Sequence, residues 1–258
     1  MNKNRRIINN FRKPKTRCFL NDNSKIHLFT YDKTEDKDNL TWLYYGTKKK
    51  RSEVETRYRY VLGAFKEFPP HGKILICFGL NPSVGVPANL ELTVKNLSGI
   101  AFSNGYKGWV MLNLFPLRNS VGISTPKATK YAFIDQLQEM ERHEYKRLYR
   151  KNINYIEEIL GLFPKEKVDI LLAWGDSVEN DKTGRLKCCI VRVYKSIKSL
   201  CGNNGIEFHI YSCYNGQGDI LTKKGHPRHL KPHNGTITPV NAKLVHFDYH
   251  DYINKFCC

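Results

Sequence analysis

The chain contains no run of 18 apolar residues, which excludes an ordinary membrane-spanning helix. Its first residues, MNKNRRIINNFRKPKTR, lack the apolar stretch of a secretory signal, so a cytoplasmic protein is expected. No CxxC pair occurs among the eight cysteines, and several lie in apolar contexts, such as Cys77 in KILICFGL. Reduced, mostly buried thiols are therefore expected in place of disulfides or a metal or iron–sulfur site. The pair Cys257-Cys258 is expected to be exposed. Walker-type phosphate loops, HExxH and GxSxG are all missing, which leaves kinases, zinc proteases and esterases of those kinds without support. No internal repeat is present. No metal or other cofactor is expected, and no obligate protein partner is evident.

Acid is absent from residues 1–17, whereas Lys or Arg stands at positions 3, 5, 6, 12, 13, 15 and 17. This reads as a flexible basic arm. The whole chain carries a net charge of +18 over 258 residues. Such a field attracts polyanions, with nucleic acid the leading partner and an anionic membrane surface second; a solvated lysine-rich surface is the plainer alternative. The apolar fraction of 41% is enough for a real core. Residues 18–258 read as a single α/β domain, with 18–72 as an N-terminal extension that holds the strand-like pieces KIHLFTYD and TWLYYG.

From residue 73 four short apolar runs recur: ILICFGL (74–80), WVMLNLF (109–115), VDILLAW (168–174) and IEFHIYS (206–212). Near-continuous apolar runs are the pattern of strands buried on both faces. Helical segments are expected between them, at 92–105, 131–160 and 184–202. Strand and helix in alternation predict a three-layer α/β/α sandwich around a central, mainly parallel four-stranded sheet. In such sheets ligands bind beyond the carboxyl ends of the strands. The residues there are Gly79-Leu80-Asn81-Pro82-Ser83, Asn113 to Arg118, Ala173-Trp174-Gly175, and the late loop GHPRHLKP (225–232).

Taken in order, GxNPS, LNxF, LAWG and HPxxL resemble the motifs of the uracil-DNA glycosylase superfamily, which read GQDPYH or GINPG, LLLN, LWG and HPSPL. The chain also resembles an uncharacterised bacterial family labelled only as a domain of unknown function. That pattern appears here as Arg57 to Tyr60 (RYRY), Leu80 to Ser83, Glu91-Leu92-Thr93, Asn113 to Arg118, Ala173 to Gly175 and His226 to His229. The resemblance covers roughly residues 57–235.

It implies a DNA glycosylase without a cofactor, acting on double- or single-stranded DNA. A glycosylase needs a pocket for an extruded base, a donor to the departing anion and a held water. By resemblance, Asn81 takes the water-positioning place, where the uracil-specific branch has Asp and the mismatch-specific branch has Asn. Glu91 is the nearest carboxylate in sequence, either a general base or orienter, or simply a helix N-terminal residue favoured by the dipole. Asn113 would hydrogen-bond the edge of the base, with Leu80, Ser83 and Phe115 completing the pocket. His226 would donate to the leaving base and Leu230 would be the wedge that fills the vacated stack. Arg118, Arg228, His229 and Lys231 would contact DNA. The late loop also reads as a proline-stiffened basic turn. Ser83 stands where the uracil-specific branch has a tyrosine that bars substituents at pyrimidine C5. A small side chain there predicts a pocket open to a modified pyrimidine, such as hydroxymethylated or glucosylated cytosine of phage DNA, and hence an antiviral role.

Overall fold

A computed structural model describes residues 17–19, 27–30, 40–47, 58–83, 90–118, 132–201, 209–214, 219–230 and 242–257. Arg57, Lys231 and the basic arm before Arg17 lie outside the described residues. The strands are β1 (Arg17–Phe19), β2 (His27–Thr30), β3 (Thr41–Thr47), β4 (Tyr58–Phe65), β5 (Ile74–Gly79), β6 (Gly108–Asn113), β7 (Val168–Ala173), β8 (His209–Tyr214) and β9 (Lys243–His246). The helices are α1 (Leu92–Ser103), α2 (Ala132–Glu139), α3 (Arg142–Leu162), α4 (Arg185–Cys201) and α5 (Tyr249–Phe256).

All four apolar runs form strands, and they pair in parallel in the order β6-β5-β7-β8. The sheet is nevertheless larger than four strands. Among the described residues it has nine, in the order β1-β2-β3-β4-β6-β5-β7-β8-β9, and it is mixed. The basic-aromatic segment expected to be an extension supplies β4, which pairs antiparallel with β6 and carries β3, β2 and β1 outward. On the far side β9 pairs antiparallel with β8. The reason lies at the rim of the parallel unit: β6 and β8 would otherwise leave open backbone edges, which folded proteins pair or cover.

Alternate side chains of the parallel strands enter two separate cores, as the period of two requires. Ile74, Ile76, Phe78, Leu112 and Ile170 pack under α3, α4 and α5. Leu75, Cys77, Trp109, Met111 and Leu171 pack under α1. The stretch 131–160, expected as one helix, is two, because the chain breaks between α2 and α3 at Met140-Glu141. Cys77, Cys188, Cys189 and Cys213 are free thiols; Cys77, Cys189 and Cys213 are buried, and burial pushes the last two up to about 12. Cys257 is half-buried against the core instead of exposed. No helix among the described residues is long and apolar enough to cross a membrane.

The junction of β4 with β6 is tight. A Cβ at Gly108 would lie 2.2 Å from the Phe65 ring and 3.0 Å from the Ala64 carbonyl oxygen. Gly108→Ala is therefore expected to destabilise the protein by about 1–3 kcal/mol through overpacking. An unchanged urea midpoint would show that β4 does not pair with β6 in this register.

Candidate functional site at the carboxyl edge of the sheet

Parallel pairing sets Gly79 opposite both Asn113 and Ala173, so three loops leave the sheet side by side. The first two stay joined beyond the strands. The Leu114 amide donates to the Gly79 carbonyl (2.9 Å), the Phe115 amide to the Leu80 carbonyl (3.3 Å), and Arg118 Nε to the Ser83 carbonyl (3.0 Å). Asn152 of α3 clamps the same turn from below, donating Nδ2 to the carbonyls of Asn113 (2.9 Å) and Leu114 (3.2 Å). The backbone of Asn113 is thus fully held. Its side chain is not: it is 1% exposed, and neither Oδ1 nor Nδ2 has a hydrogen-bond partner. The Ser83 hydroxyl is likewise buried and unpaired.

Gly79 has a specific role beside this amide. A Cβ there would fall 2.9 Å from Asn113 Oδ1 and 2.5 Å from Met111 Cε. Only glycine leaves the amide its place. Leu80 is buried in the core, and Phe115 is fully buried with its ring stacked on Tyr145 (5.4 Å between centroids, 12° between planes). Asn81 is half-buried and donates Nδ2 to the neighbouring Pro82 carbonyl at 3.3 Å. Glu91 stands at the N-cap of α1, yet its side chain makes no capping bond.

One residue of this cluster escaped the sequence reading. Arg59 of β4 is 1% exposed. The register shifts at Tyr45/Gly46, so that Tyr45 faces Val61 and Gly46 faces Arg59, leaving Tyr60 as the extra residue of a bulge. The bulge sends Tyr60 toward α3, against Tyr155, and leaves Arg59 among Arg118, Tyr44 and Glu91. Bulges often re-aim a side chain in this way. Burial brings the Arg59 guanidinium down to about 9, Arg118 adds to the effect, and Tyr44 and Glu91 oppose it. An arginine within YRYVLGAF (58–65), otherwise apolar and aromatic, was the available signal.

The late loop reaches the same edge. Residues 221–227 form a tight hairpin: Thr222 and His226 exchange backbone and side-chain bonds, and Gly225 sits at φ +82° with Phe256 packed where a side chain would be. The Gly175 amide, just past β7, donates to the Pro227 carbonyl (2.9 Å), and Asn96 of α1 donates to the Leu230 carbonyl (2.8 Å). Arg228 Nε donates to the Asp219 carbonyl at 2.7 Å, and His229 lies against Gly175. Leu230 is 0% exposed and belongs to the core under α1. It is therefore an anchor of the loop in this structure and does not project as a wedge.

His226 is also turned inward. It is 1% exposed; Nδ1 is 2.7 Å from Tyr252 Oη, and Nε2 is 2.9 Å from Glu179 Oε1. Trp174 Nε1, which can only donate, reaches the same Tyr252 oxygen at 3.2 Å. The Glu179 carboxylate can only accept, so a neutral ring carries its proton on Nε2 and accepts the Tyr252 hydroxyl proton at Nδ1. Burial lowers the affinity of the ring for a second proton, and Glu179 partly opposes this. Asp176 and Thr222 are hydrogen-bonded next to this chain. Glu179 and Asp176 follow the LAWG motif directly, whereas Tyr252 comes from α5, for which the motif order held no signal. Among the described residues no hydrogen bond joins the His226 ring to Asn81 or Asn113.

The carboxyl edge thus carries two polar groups. One holds Asn81, Ser83, Glu91, Asn113, Arg118 and Arg59. The other holds His226, Glu179, Tyr252, Trp174, Asp176 and Thr222. Together they mark the candidate site of an α/β protein, one part of it unsatisfied and one part closed on itself. Residues 59–230 match the family described as "Protein of unknown function (DUF1643)". The chain belongs to that family, and the matched region includes both groups except Tyr252. No curated protein and no solved structure matches the chain.

Two outcomes are expected. Leu230→Ala should cost about 2–5 kcal/mol of folding stability, as for other buried leucines, measured by chemical denaturation; a cost below 0.5 kcal/mol, on the order of surface substitutions, would put Leu230 outside the core. His226 binds its second proton less readily folded than unfolded, where the value is 6.5. Its contribution is then complete above that pH and is lost as pH falls below it. The melting-temperature advantage of the wild type over His226→Gln should shrink between neutral and mildly acidic pH. An advantage that grows on acidification would mean a charged ring.

Proposed function

We propose that the protein is a DNA glycosylase that extrudes a modified pyrimidine and cleaves it from deoxyribose, leaving an abasic site. On this reading the sheet is a uracil-DNA-glycosylase-like, three-layer arrangement around four parallel strands, enlarged at both sides by antiparallel ones. One observation carries the proposal: the buried Asn113 amide has neither of its polar atoms bonded. Such an amide is costly to leave unpaired. The edge of an extruded pyrimidine, with a donor beside an acceptor, satisfies both atoms at once. Gly79, which leaves the amide its place, and the unpaired Ser83 hydroxyl support the same reading.

The step breaks the C1′–N bond, with the electron pair leaving on the base, and a water oxygen bonds to C1′. Asn81 holds that water, and Glu91 orients it or accepts its proton. His226, neutral with its proton on Nε2, donates to the departing base once Glu179 gives up that position. The small Ser83 leaves room at C5, so the favoured substrate is a C5-substituted cytosine such as a hydroxymethylated or glucosylated one in phage DNA. Arg118, Arg228 and His229 hold the backbone.

A second reading, a nucleic-acid-binding module of the same fold without chemistry, is favoured by the engagement of both His226 ring nitrogens within the protein. Single- and double-stranded DNA carrying uracil, cytosine, hydroxymethylated or glucosylated cytosine separates the two. Expected is release of a C5-substituted base with an alkali-labile site, reduced by about 100-fold or more in Asn113→Ala. Release of uracil alone would turn the assignment toward repair. Binding without any release, unaltered in Asn81→Ala and His226→Ala, would establish the module.

A further inference from the structure

Helix α3 runs from the carboxyl edge of the sheet to the amino edge. Near its start Tyr145 stacks on Phe115 and Glu144 accepts from Tyr58; midway Asn152 holds the Asn113 carbonyl; just past its end Phe163 packs on Phe65 and Phe68. Its first half therefore stands beside the candidate site. Arg142, Lys146, Arg147 and Arg150 are exposed there, and among the described residues no hydrogen bond or ion pair holds any of them. At 3.6 residues per turn these four fall within roughly 140° of arc and span about 12 Å of helix. Arg142, Lys146 and Arg150 repeat at a spacing of four, where like charges repel each other.

The charge is confined to this end. Farther along α3, Glu157 takes Arg192 and Ser196, and Glu158 follows it. Of the nearby acids, Glu141 pairs with His143 and Glu144 accepts from Tyr58, and both line a cavity with Glu139 at the start of the helix. The apolar side of α3 is spent on the sheet, through Leu148, Ile153, Ile156 and Ile159. A helix lying on a membrane needs such a side free to enter the lipid. A phosphate backbone needs only the cations.

We infer that the exposed face formed by Arg142, Lys146, Arg147 and Arg150 docks the sugar-phosphate backbone of DNA alongside the site at the strand ends. The inference rests on the reading of DNA as substrate, and it adds the surface that sets the approach of the strand. The test uses the full chain and an unmodified 30-base-pair duplex. Binding is measured across a range of salt for wild type, for Arg142→Glu/Lys146→Glu/Arg150→Glu, and for a control with the same charge change at the amino edge, Lys107→Glu/Lys165→Glu/Lys167→Glu. Expected is a loss of affinity of about tenfold or more in the first variant, with a salt slope shallower by about 2–3, and a much smaller change in the control. A milder Gln triple at the same three α3 positions should show a partial loss in the same direction. Equal effects of the α3 and control sets would overturn the proposal, since the general field would then suffice. So would an α3 variant that keeps its DNA affinity but loses binding to phosphatidylserine vesicles. Base release is followed in parallel. Docking on α3 without release from any modified DNA would sink the glycosylase reading and leave this surface standing; release with DNA affinity unchanged in the α3 variant would do the reverse.

Discussion

In-register parallel pairing of β5 with β6 on one side and β7 on the other holds Gly79, Asn113 and Ala173 at one level. Everything at the candidate site hangs on that alignment. A slip of one residue would send each side chain to the opposite core, because the period of a strand is two. The alignment brings the Asn113 amide beside a glycine, lets Arg118 bridge to the Ser83 loop, and puts Gly175 under the HPRHL loop. Continuous burial of β5, β6 and β7 makes the register costly to change.

On this edge the two polar groups behave in opposite ways. The Asn113 backbone is clamped by Asn152 while its side chain is left unsatisfied. The His226 ring is satisfied at both nitrogens by groups from a loop and from α5. A buried unpaired amide stores a penalty that a ligand can relieve. A satisfied imidazole must first lose a bond, and the half-exposed Glu179 is the partner able to move. The proposed chemistry therefore assigns recognition to a group that is ready and proton donation to one that has to be released.

Much of the fold was legible. Runs such as ILICFGL and VDILLAW have no polar face to offer water, so they had to be central strands. The segment from Leu92 to Ser103, ending near a glycine in the left-handed region, had to be a helix. The antiparallel additions were less legible. RYRYVLGAF looks like a basic surface segment, and its place against β6 depends on an edge that exists only once the parallel strands have paired. The short β9 and α5, KLVH and YHDYINKF, carry no motif. Of the site, Asn113 was legible because an amide inside WVMLNLF needs a reason. Leu230 misled: its position in the motif suggests a projecting wedge, whereas its surroundings under α1 make it a core residue.

The sequence by itself determined the alternation of strand and helix, the carboxyl edge as the place to look, and the residue types that meet there. Hydrophobic periodicity and turn chemistry are local, and they act on any chain that carries them. Tertiary structure alone decided that a bulge at Tyr60 leaves Arg59 among Arg118 and Glu91. It also decided that the Glu179 carboxylate meets Nε2 of a neutral His226 and Tyr252 meets Nδ1. It set the cations of α3 beside the strand ends as well. These facts join residues far apart in the chain, and their physical cause is packing across the sheet, which no local pattern records.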